Sequence, residues 1–296
     1  MRDNQRTHCA RVGLALLVIS SLSCERAPST GAYFVFKQRS PSVAADSVRY
    51  PAGPAGDGAR HGFAILAATH DSLPAYVGAN LRCFSCHLDN GTRRNAIPLT
   101  GAYARYPNFS PRENRVVTIQ DRVNSCFRRS MAGRAIPFDG EQMNAIVMYL
   151  AAASRGVSVG SHVKGEGLPD LSSPTADTSR GSALYSSRCA RCHGTDGDGI
   201  PPATPLWGRR SYSIAASLAR RDRAASFIRH NMPLDSAGVL SDQDAFDVAS
   251  YVLSHARPDS PDKELDWSGG GAPGDVPYNT RGHVAFNPPR LLPPSR

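Results

Sequence analysis

The sequence predicts an all-α protein made of two similar domains in tandem. Its 296 residues are enough for two domains at roughly 150 residues each. Both halves of the chain repeat one plan, in which a helical stretch runs into a Cys-x-x-Cys-His motif and a loop-rich segment then leads to an amphipathic helix. No stretch alternates apolar and polar residues over a useful length, so strands are not expected.

The amphipathic helix of each half is identified by one apolar stripe. In the first half the predicted helix covers residues 141–153, with apolar side chains at i, i+3, i+4 and i+7. This stripe consists of Met143, Ile146, Val147 and Leu150. In the second half the equivalent stripe consists of Ala245, Val248, Ala249 and Val252. Polar pairs three residues apart predict a capping box before each helix, namely Asp139 with Gln142 and Ser241 with Asp244.

Residues 1–24 are typical of a signal peptide. Three arginines precede the short apolar run 12–19. This run is too short for a membrane-spanning helix, which needs ~20 apolar residues. Cys24 follows it as the acceptor cysteine of a bacterial lipoprotein would, and an ordinary cleavage site with an incidental cysteine is the alternative. We therefore expect an exported, periplasmic protein whose one candidate membrane attachment is a lipid anchor at Cys24.

The rest of the chain divides by composition. Residues 25–58 are rich in Pro, Ala, Ser and Gly and predict a flexible lead-in. Residues 59–157 form the first predicted domain and residues 179–257 the second, with a polar linker at 158–178 that Gly and Pro punctuate. Residues 258–296 are rich in Pro and Gly and predict a C-terminal extension that lies on the surface as irregular chain.

The chain is basic, with a formal net charge of +9. Such a balance suits an anionic surface or a small anionic substrate as well as nucleic acid. The arginines are scattered and no stretch matches a nucleic-acid-binding motif, so no nucleic-acid partner is expected.

Two copies of Cys-x-x-Cys-His indicate attachment of c-type haem. The copies are Cys83, Cys86 and His87, and Cys189, Cys192 and His193. Two thiols at this spacing can each bond a haem vinyl group, and the adjacent His reaches the iron. Zinc would need four ligands in two close pairs, and a disulfide needs no His after it. The sequence therefore predicts two covalently bound haem c groups, one in each of two cytochrome c-like domains.

Each haem iron then needs a second axial ligand or an open site. In the second half the only methionine is Met232, and Pro233 fixes the chain beside it. Met232 is therefore the expected ligand, with His230 as the alternative.

The first half offers several candidates for the same role. They are Met131, Met143, Met148 and Cys126. Met143 lies on the apolar stripe and is favoured as a core residue. Cys126 has no other assignment, so it is either an iron ligand as thiolate or a buried, inert thiol.

Several stretches of the chain resemble the thiosulfate dehydrogenase family of dihaem cytochromes. In the first half these are YVGANLRCFSCHLDNGTRRNAIPLTGAY at 76–103 and NSCFRRSMAG at 124–133. In the second half they include RCARCHGTDGDG, FIRHNMP and LSDQDAFDVASYV, and the tail DWSGGGAPGDVPYNTRGHVAF at 266–286 is similar to the family's C-terminal extension. The resemblance covers roughly residues 60–290.

The resemblance implies a ligand set and a substrate site. It gives His87 and Cys126 as axial ligands of the first haem iron, and His193 and Met232 as those of the second. It also places Arg112, Arg122 and Ser130 around the first haem. The family often has Lys directly before the axial Met, and this chain has Asn231 there, so ligand exchange by Lys is not expected.

The activity that the resemblance implies is oxidation of thiosulfate to tetrathionate. Arg suits a dianion with several oxygens, because its donors form a planar fork, and Arg112 and Arg122 are the candidates, with Ser130 as a further donor and Cys126 as the catalytic thiolate. A solvated surface position is the alternative for each Arg. Thiolate ligation favours oxidised iron and His/Met ligation raises the potential, so electrons are expected to pass from the first haem to the second.

The external acceptor is expected to be a small cytochrome or similar carrier. Two other functions remain open at this point. The chain could be an electron carrier with no substrate of its own, or a related enzyme that acts on another sulfur compound or reduces tetrathionate.

Overall fold

The structure is a computed structural model that describes residues 48–172, 174–285 and 288–293. The described residues belong to one compact unit. The predicted signal peptide, with its candidate lipid acceptor Cys24, lies outside the described residues, as does most of the predicted lead-in. In the part of the chain that is described, no helix combines the length and the apolar character needed to cross a membrane.

Helices dominate the first half. They are α1 (Pro54–Ala67), α2 (Thr69–Ser72), α3 (Leu88–Gly91), α4 (Ile119–Ser125) and α5 (Glu141–Ala153). Short 3₁₀ turns cover Cys83–Ser85 and Tyr103–Arg105, and a π-helical turn, Cys126–Ser130, continues α4. The strands β1 (Asn108–Ser110) and β2 (Arg115–Val117) pair antiparallel, with Phe109 opposite Val116.

The second half repeats this plan. Its helices are α6 (Thr178–Arg188), α7 (Ala190–His193), α8 (Arg221–Asn231) and α9 (Asp242–Ser254). Further 3₁₀ turns cover Ser217–Ala219 and Lys263–Leu265. The two-residue strands β3 (Arg257–Pro258) and β4 (Leu291–Leu292) pair in parallel. The all-α tandem architecture is confirmed, and these short strands were not foreseen because three residues are too few for a visible alternation.

A glycine lets the main helices of each half cross closely. α1 packs on α5, and a Cβ at Gly62 would lie 2.0 Å from the carbonyl oxygen of Ala145. α6 packs on α9, where a Cβ at Gly181 would lie 2.0 Å from the carbonyl oxygen of Asp247. The same close crossing therefore occurs in both halves, as expected of an internal repeat.

The predicted helix at 141–153 is present as α5, but its predicted capping box is wrong. The N-cap is Gly140, and no side chain caps the helix. Asp139 stands one residue too early to serve, and its carbonyl oxygen instead accepts a bond from the Asn144 side chain. The capping box of Ser241 with Asp244 is present at the start of α9.

The predicted lead-in is partly ordered. α1 begins at Pro54, inside the segment expected to be flexible. Proline has a fixed φ that suits the first turn of a helix and needs no intrahelical N–H partner there. Val48 and Tyr50 pack against the core of the first half, so this end of the lead-in is folded onto the domain.

The C-terminal extension is largely irregular and most of its described residues are exposed or half-buried, but part of it is buried, which the prediction of a surface segment did not foresee. Trp267, Val276 and Tyr278 form a buried cluster with Ile214 and Ala215 of the second half. Burial of three large side chains gives this segment a fixed position without regular secondary structure. This position lets Asp266 of the extension bind Arg112 and Arg129 of the first half.

Candidate haem and substrate sites

The first Cys-x-x-Cys-His motif lies on a short helical turn held by Thr69. The backbone N–H of Cys83 donates to Thr69 Oγ1 at 3.0 Å, and the Thr69 hydroxyl also lies 3.3 Å from the Cys83 Sγ. Burial raises the pKa of the Cys83 and Cys86 thiols to about 12. Both thiols are free, so they are available for thioether bonds.

His87 is oriented by the backbone. Its Nδ1 lies 2.5 Å from the carbonyl oxygen of Ile97, to which it donates. This bond leaves Nε2 available for a ligand, and such backbone partners commonly orient iron-ligating His. His87 and Cys126 line the same cavity, so the two predicted axial ligands of the first iron lie around one space.

Cys126 begins the π-helical turn at the end of α4. Turns of this kind often occur at functional sites. Arg122 Nη1 donates to Cys126 Sγ at 2.9 Å. Burial raises the pKa of the Cys126 thiol, but the Arg122 charge and the nearby His87 ring lower it by more. The net result is a pKa of about 7, below the ordinary value. Near neutral pH a substantial fraction of this thiol is therefore thiolate, the form that ligates iron.

A largely apolar cavity surrounds these groups. Cys83, His87 and Cys126 all line it, with Leu66, Phe127 and Ile146 among the apolar side chains. The apolar wall, the attachment thiol and the paired His and Cys fit a covalently bound haem.

The three methionines of the first half occupy different places. Met131 lines the haem cavity and belongs to the core of this half. Met143 is fully buried in that core, and Met148 lies against α1 at Gly58. Met143 and Met148 are absent from the lining, which leaves Met131 and Cys126. Cys126 accepts a hydrogen bond from Arg122 and has a lowered pKa, so it is the better candidate for the second ligand.

A second, polar cavity adjoins the first and shares Tyr106 and Arg122 with it. The predicted substrate residues Arg112, Arg122 and Ser130 all line it, and so does Arg129. The structure thus brings the three predicted residues together beside Cys126.

Arg112 is held by the C-terminal extension and the second half. Its Nε donates to Asp266 Oδ2 at 2.8 Å, and its Nη2 donates to the Ala215 carbonyl oxygen and the Tyr278 hydroxyl, both at 2.7 Å. The guanidinium also stacks over the Trp267 ring. Within the described residues no protein partner meets Nη1, which leaves that nitrogen to bind an anion.

Arg129 is a cavity residue that the sequence analysis missed. Its Nη2 donates to Asp266 Oδ1 at 2.6 Å, and its Nη1 donates to the Ser125 hydroxyl at 2.8 Å and to Glu113 at 3.3 Å. The spacing of Arg122, Ser125 and Arg129, which share one helical face, is the signal that could have identified it.

Asp266 is a buried carboxylate between these arginines, with its side chain 0% exposed. Burial raises the pKa of Asp266, but Arg129 and Arg112 together hold it below the ordinary value. The carboxylate is therefore ionised and fixes both guanidinium groups.

The second Cys-x-x-Cys-His motif repeats the first. His193 Nδ1 donates to the Thr204 carbonyl oxygen at 2.9 Å, as His87 does to Ile97. Burial lowers the pKa of His193, which favours the neutral ring that ligates iron. Cys189 and Cys192 are free thiols, and Cys189 packs against a cluster built on Tyr185 and Trp207.

Met232 directly follows α8 and is joined to Pro233 by a cis peptide bond. It packs against the cluster of Leu88, Ala96, Leu168 and Phe227, which draws on both halves. Its neighbour Asn231 is buried and donates from Nδ2 to the Asn95 carbonyl oxygen at 2.8 Å. The alternative ligand His230 lies in the last turn of α8, with Nδ1 2.9 Å from the Ser226 carbonyl oxygen, a bond of the same kind as those of His87 and His193.

The described ranges show no site where protein side chains alone would bind a metal ion. They contain no group of three or more His, Cys, Asp or Glu residues placed to hold a metal ion. Two helical halves, each with a pair of free thiols and a backbone-oriented His, define a c-type cytochrome with two haem sites.

Comparison with known proteins supports the assignment as a c-type cytochrome and indicates a particular family. Residues 76–159 match the family described as "SoxA/TsdA, cytochrome c domain", and residues 176–252 match "Cytochrome C oxidase, cbb3-type, subunit III". The thiosulfate dehydrogenase of Allochromatium vinosum is 38% identical over 87% of this chain and 97% of its own length. That of Psychrobacter arcticus is 38% identical over 78% of this chain and 73% of its own length.

A solved structure agrees with these relatives. The thiosulfate dehydrogenase TsdBA from Marichromatium purpuratum superposes with a TM-score of 0.69 at 36% identity, over 72% of this chain. This chain covers 49% of that longer one. The chain belongs to the thiosulfate dehydrogenase family of dihaem c-type cytochromes, and it carries two covalently bound haem c groups.

Proposed function

We propose that this protein oxidises thiosulfate to tetrathionate at the first haem, with His87 and Cys126 as the axial ligands of its iron. The observation that carries the proposal is the placement of Cys126. Its thiol lines the haem cavity together with His87 and accepts a hydrogen bond from Arg122 at the border of the polar cavity. A site for an anion thus lies directly beside the proposed ligand pair.

Oxidation of two thiosulfate ions to tetrathionate releases two electrons, and each electron needs an acceptor. Two thiosulfate dianions lose one electron each and become joined by a new S–S bond, and the two haems supply two one-electron acceptors. The protein must then hold two like-charged ions close together, which it can do only by offsetting their repulsion with positive charge.

The polar cavity provides that charge. Three guanidinium groups, those of Arg112, Arg122 and Arg129, face the two carboxylates of Glu113 and Asp266. One positive charge remains, and we assign the free Nη1 of Arg112 and the guanidinium of Arg122 to the thiosulfate oxygens. The Ser130 hydroxyl, which also lines the cavity, is assigned as a further donor.

We propose that electrons leave through the second haem, with His193 and Met232 as its axial ligands. A direct connection between the halves supports this route. The segment 95–97 accepts a bond from Asn231, beside Met232, at Asn95, and a bond from His87 at Ile97. The ligand-bearing segments of both halves thus share one short stretch of backbone.

The external acceptor is proposed to be a small cytochrome or similar carrier. Export to the periplasm and a lipid anchor at Cys24 are also proposed, on the basis of the N-terminal sequence alone. A pure electron carrier would not need three arginines and a polar cavity beside a thiolate, so an enzyme is the better account of this site.

The activity can be tested with the purified, haem-loaded protein. Reduction of ferricyanide should depend on thiosulfate, and Cys126→Gly should abolish it while both haems stay attached, as mass spectrometry would show. Arg155→Gln, a change at an exposed position, is the matched control and should retain full turnover. Full activity of Cys126→Gly would exclude the proposed role of this thiol, and no turnover of thiosulfate or tetrathionate by the unaltered protein would favour the carrier.

A further inference from the structure

Arg257 is a fully buried cation that the proposed chemistry does not use. It lies in β3, just after the last helix, and is 0% exposed. Its Nη2 donates to the Val252 carbonyl oxygen at 3.0 Å, and its guanidinium carbon lies 4.6 Å from the centre of the Tyr212 ring. Nε and Nη1 have no hydrogen-bond partner among the described residues.

Such a charge requires a counter-charge. A guanidinium group stays protonated in proteins, so Arg257 cannot avoid the cost of burial by losing its proton. One carbonyl oxygen and one ring face do not neutralise a cation, and an unpaired buried charge is strongly destabilising. In the part of the chain that is described, no carboxylate lies within salt-bridge distance of Arg257, whereas arginines such as Arg112 and Arg220 have one.

Each of the two contact residues of Arg257 belongs to a hydrophobic cluster against which a haem-attachment cysteine packs. Val252, its carbonyl partner, belongs to the cluster against which Cys189 of the second motif packs. Tyr212, its ring partner, belongs to the cluster against which Cys83 of the first motif packs. Each haem brings two propionate carboxylates, which are the anions expected at these two sites.

We propose that Arg257 binds a haem propionate. Nε and Nη1 together offer three N–H bonds, and a carboxylate oxygen is the acceptor that satisfies both the charge and the donors. Ser260, in the same segment, has a buried hydroxyl that also lacks a partner among the described residues. It is the candidate for a second bond to the same group. The proposal does not depend on which substrate the enzyme oxidises.

The haem-loaded protein provides the test through the potentials of its two haems. A positive charge beside a propionate favours the reduced iron, so Arg257→Gln should lower the midpoint potential of the haem it serves. Arg257→Lys keeps the charge and should shift that potential less. Arg209→Gln removes a charge from an exposed position and should leave both potentials unchanged. The haem whose potential shifts is the one whose propionate Arg257 binds. Unaltered potentials in the Arg257 variants would overturn the proposal.

Two further measurements separate a bound propionate from a general effect on folding. The propionate bending band in the resonance Raman spectrum should shift in Arg257→Gln and not in Arg209→Gln. A crystal structure of the unaltered, haem-loaded protein should place a propionate oxygen within hydrogen-bond distance of Nε or Nη1. A carboxylate of the polypeptide found there instead would refute the assignment, even if the Gln variant does not mature.

Discussion

Replacing Asp266 by Asn tests whether the C-terminal extension holds Arg112 and Arg129 in place at the polar cavity. Asp266 binds Arg112 through Oδ2 and Arg129 through Oδ1, and it also accepts a bond from the Tyr278 hydroxyl at 2.7 Å. The Asn side chain has the same shape but no charge. The change therefore leaves two guanidinium groups without their shared counter-ion.

The size of the effect follows from burial. Removal of one partner of a buried ion pair costs about 3–5 kcal/mol. The side chains of Arg112 and Arg129 keep 20% and 16% exposure, so water screens them in part and the lower end, about 3 kcal/mol, applies. For a chain of this size that corresponds to a fall in the melting temperature of about 6–12 °C.

Thermal unfolding of the haem-loaded protein, followed by circular dichroism at neutral pH, measures this difference. Asp170→Asn is the matched control, because Asp170 pairs with Arg223 at the surface and such pairs contribute little. Equal melting temperatures for Asp266→Asn and the unaltered protein would refute the reasoning.

The pH dependence of stability is an independent test of the Asp266 charge. The pKa of Asp266 is lowered in the folded protein, so its contribution is present above the unfolded pKa of about 3.9. That contribution is lost as the pH falls through the folded value. The advantage of the unaltered protein over Asp266→Asn should therefore shrink below about pH 4.

Three further changes test other contacts. Arg122→Gln removes the charge beside the Cys126 thiol and should lower kcat/KM for thiosulfate about 10–100-fold, as loss of a charged hydrogen bond implies, in a ferricyanide assay. Gly62→Ala introduces a Cβ only 2.0 Å from a carbonyl oxygen and should cost about 1–3 kcal/mol in urea unfolding, whereas Gly274→Ala meets no atom within 4 Å and should be neutral. Thr69→Val leaves the buried N–H of Cys83 without its acceptor and should cost about 1–3 kcal/mol by the same assay. A neutral result for Thr69→Val would mean that water or the thiol replaces the hydroxyl.

Local patterns in the sequence predicted the parts of this protein that depend on local spacing. The two attachment motifs, the helix over residues 141–153 and the cap at Ser241 each depend on residues within one or two turns of each other. The capping box predicted at Asp139 was wrong because the sequence does not show which of two neighbouring residues is the N-cap. In the structure Gly140 has the extended backbone of an N-cap, and Asp139 lies one residue before it.

The role of the C-terminal extension could not be predicted in the same way. Asp266 and Arg112 are far apart in the sequence, and the extension has no periodic pattern that marks a buried face. Its position depends on Trp267 and Tyr278 packing against Ile214, which is a tertiary contact. Arg129 shares a helical face with Arg122 and Ser125, but its ion pair with the distant Asp266, which fixes its guanidinium at the cavity, is again a tertiary contact.

The ligation of the first haem iron is the measurement that bears most directly on this account. Electron paramagnetic resonance of the oxidised protein should show a low-spin signal of His and thiolate ligation, and Cys126→Gly should lose that signal while a second, His/Met-type signal is unchanged. A spectrum in which Cys126→Gly retains both signals of the unaltered protein would contradict the assignment of Cys126 to the iron, and with it the proposed site of thiosulfate oxidation.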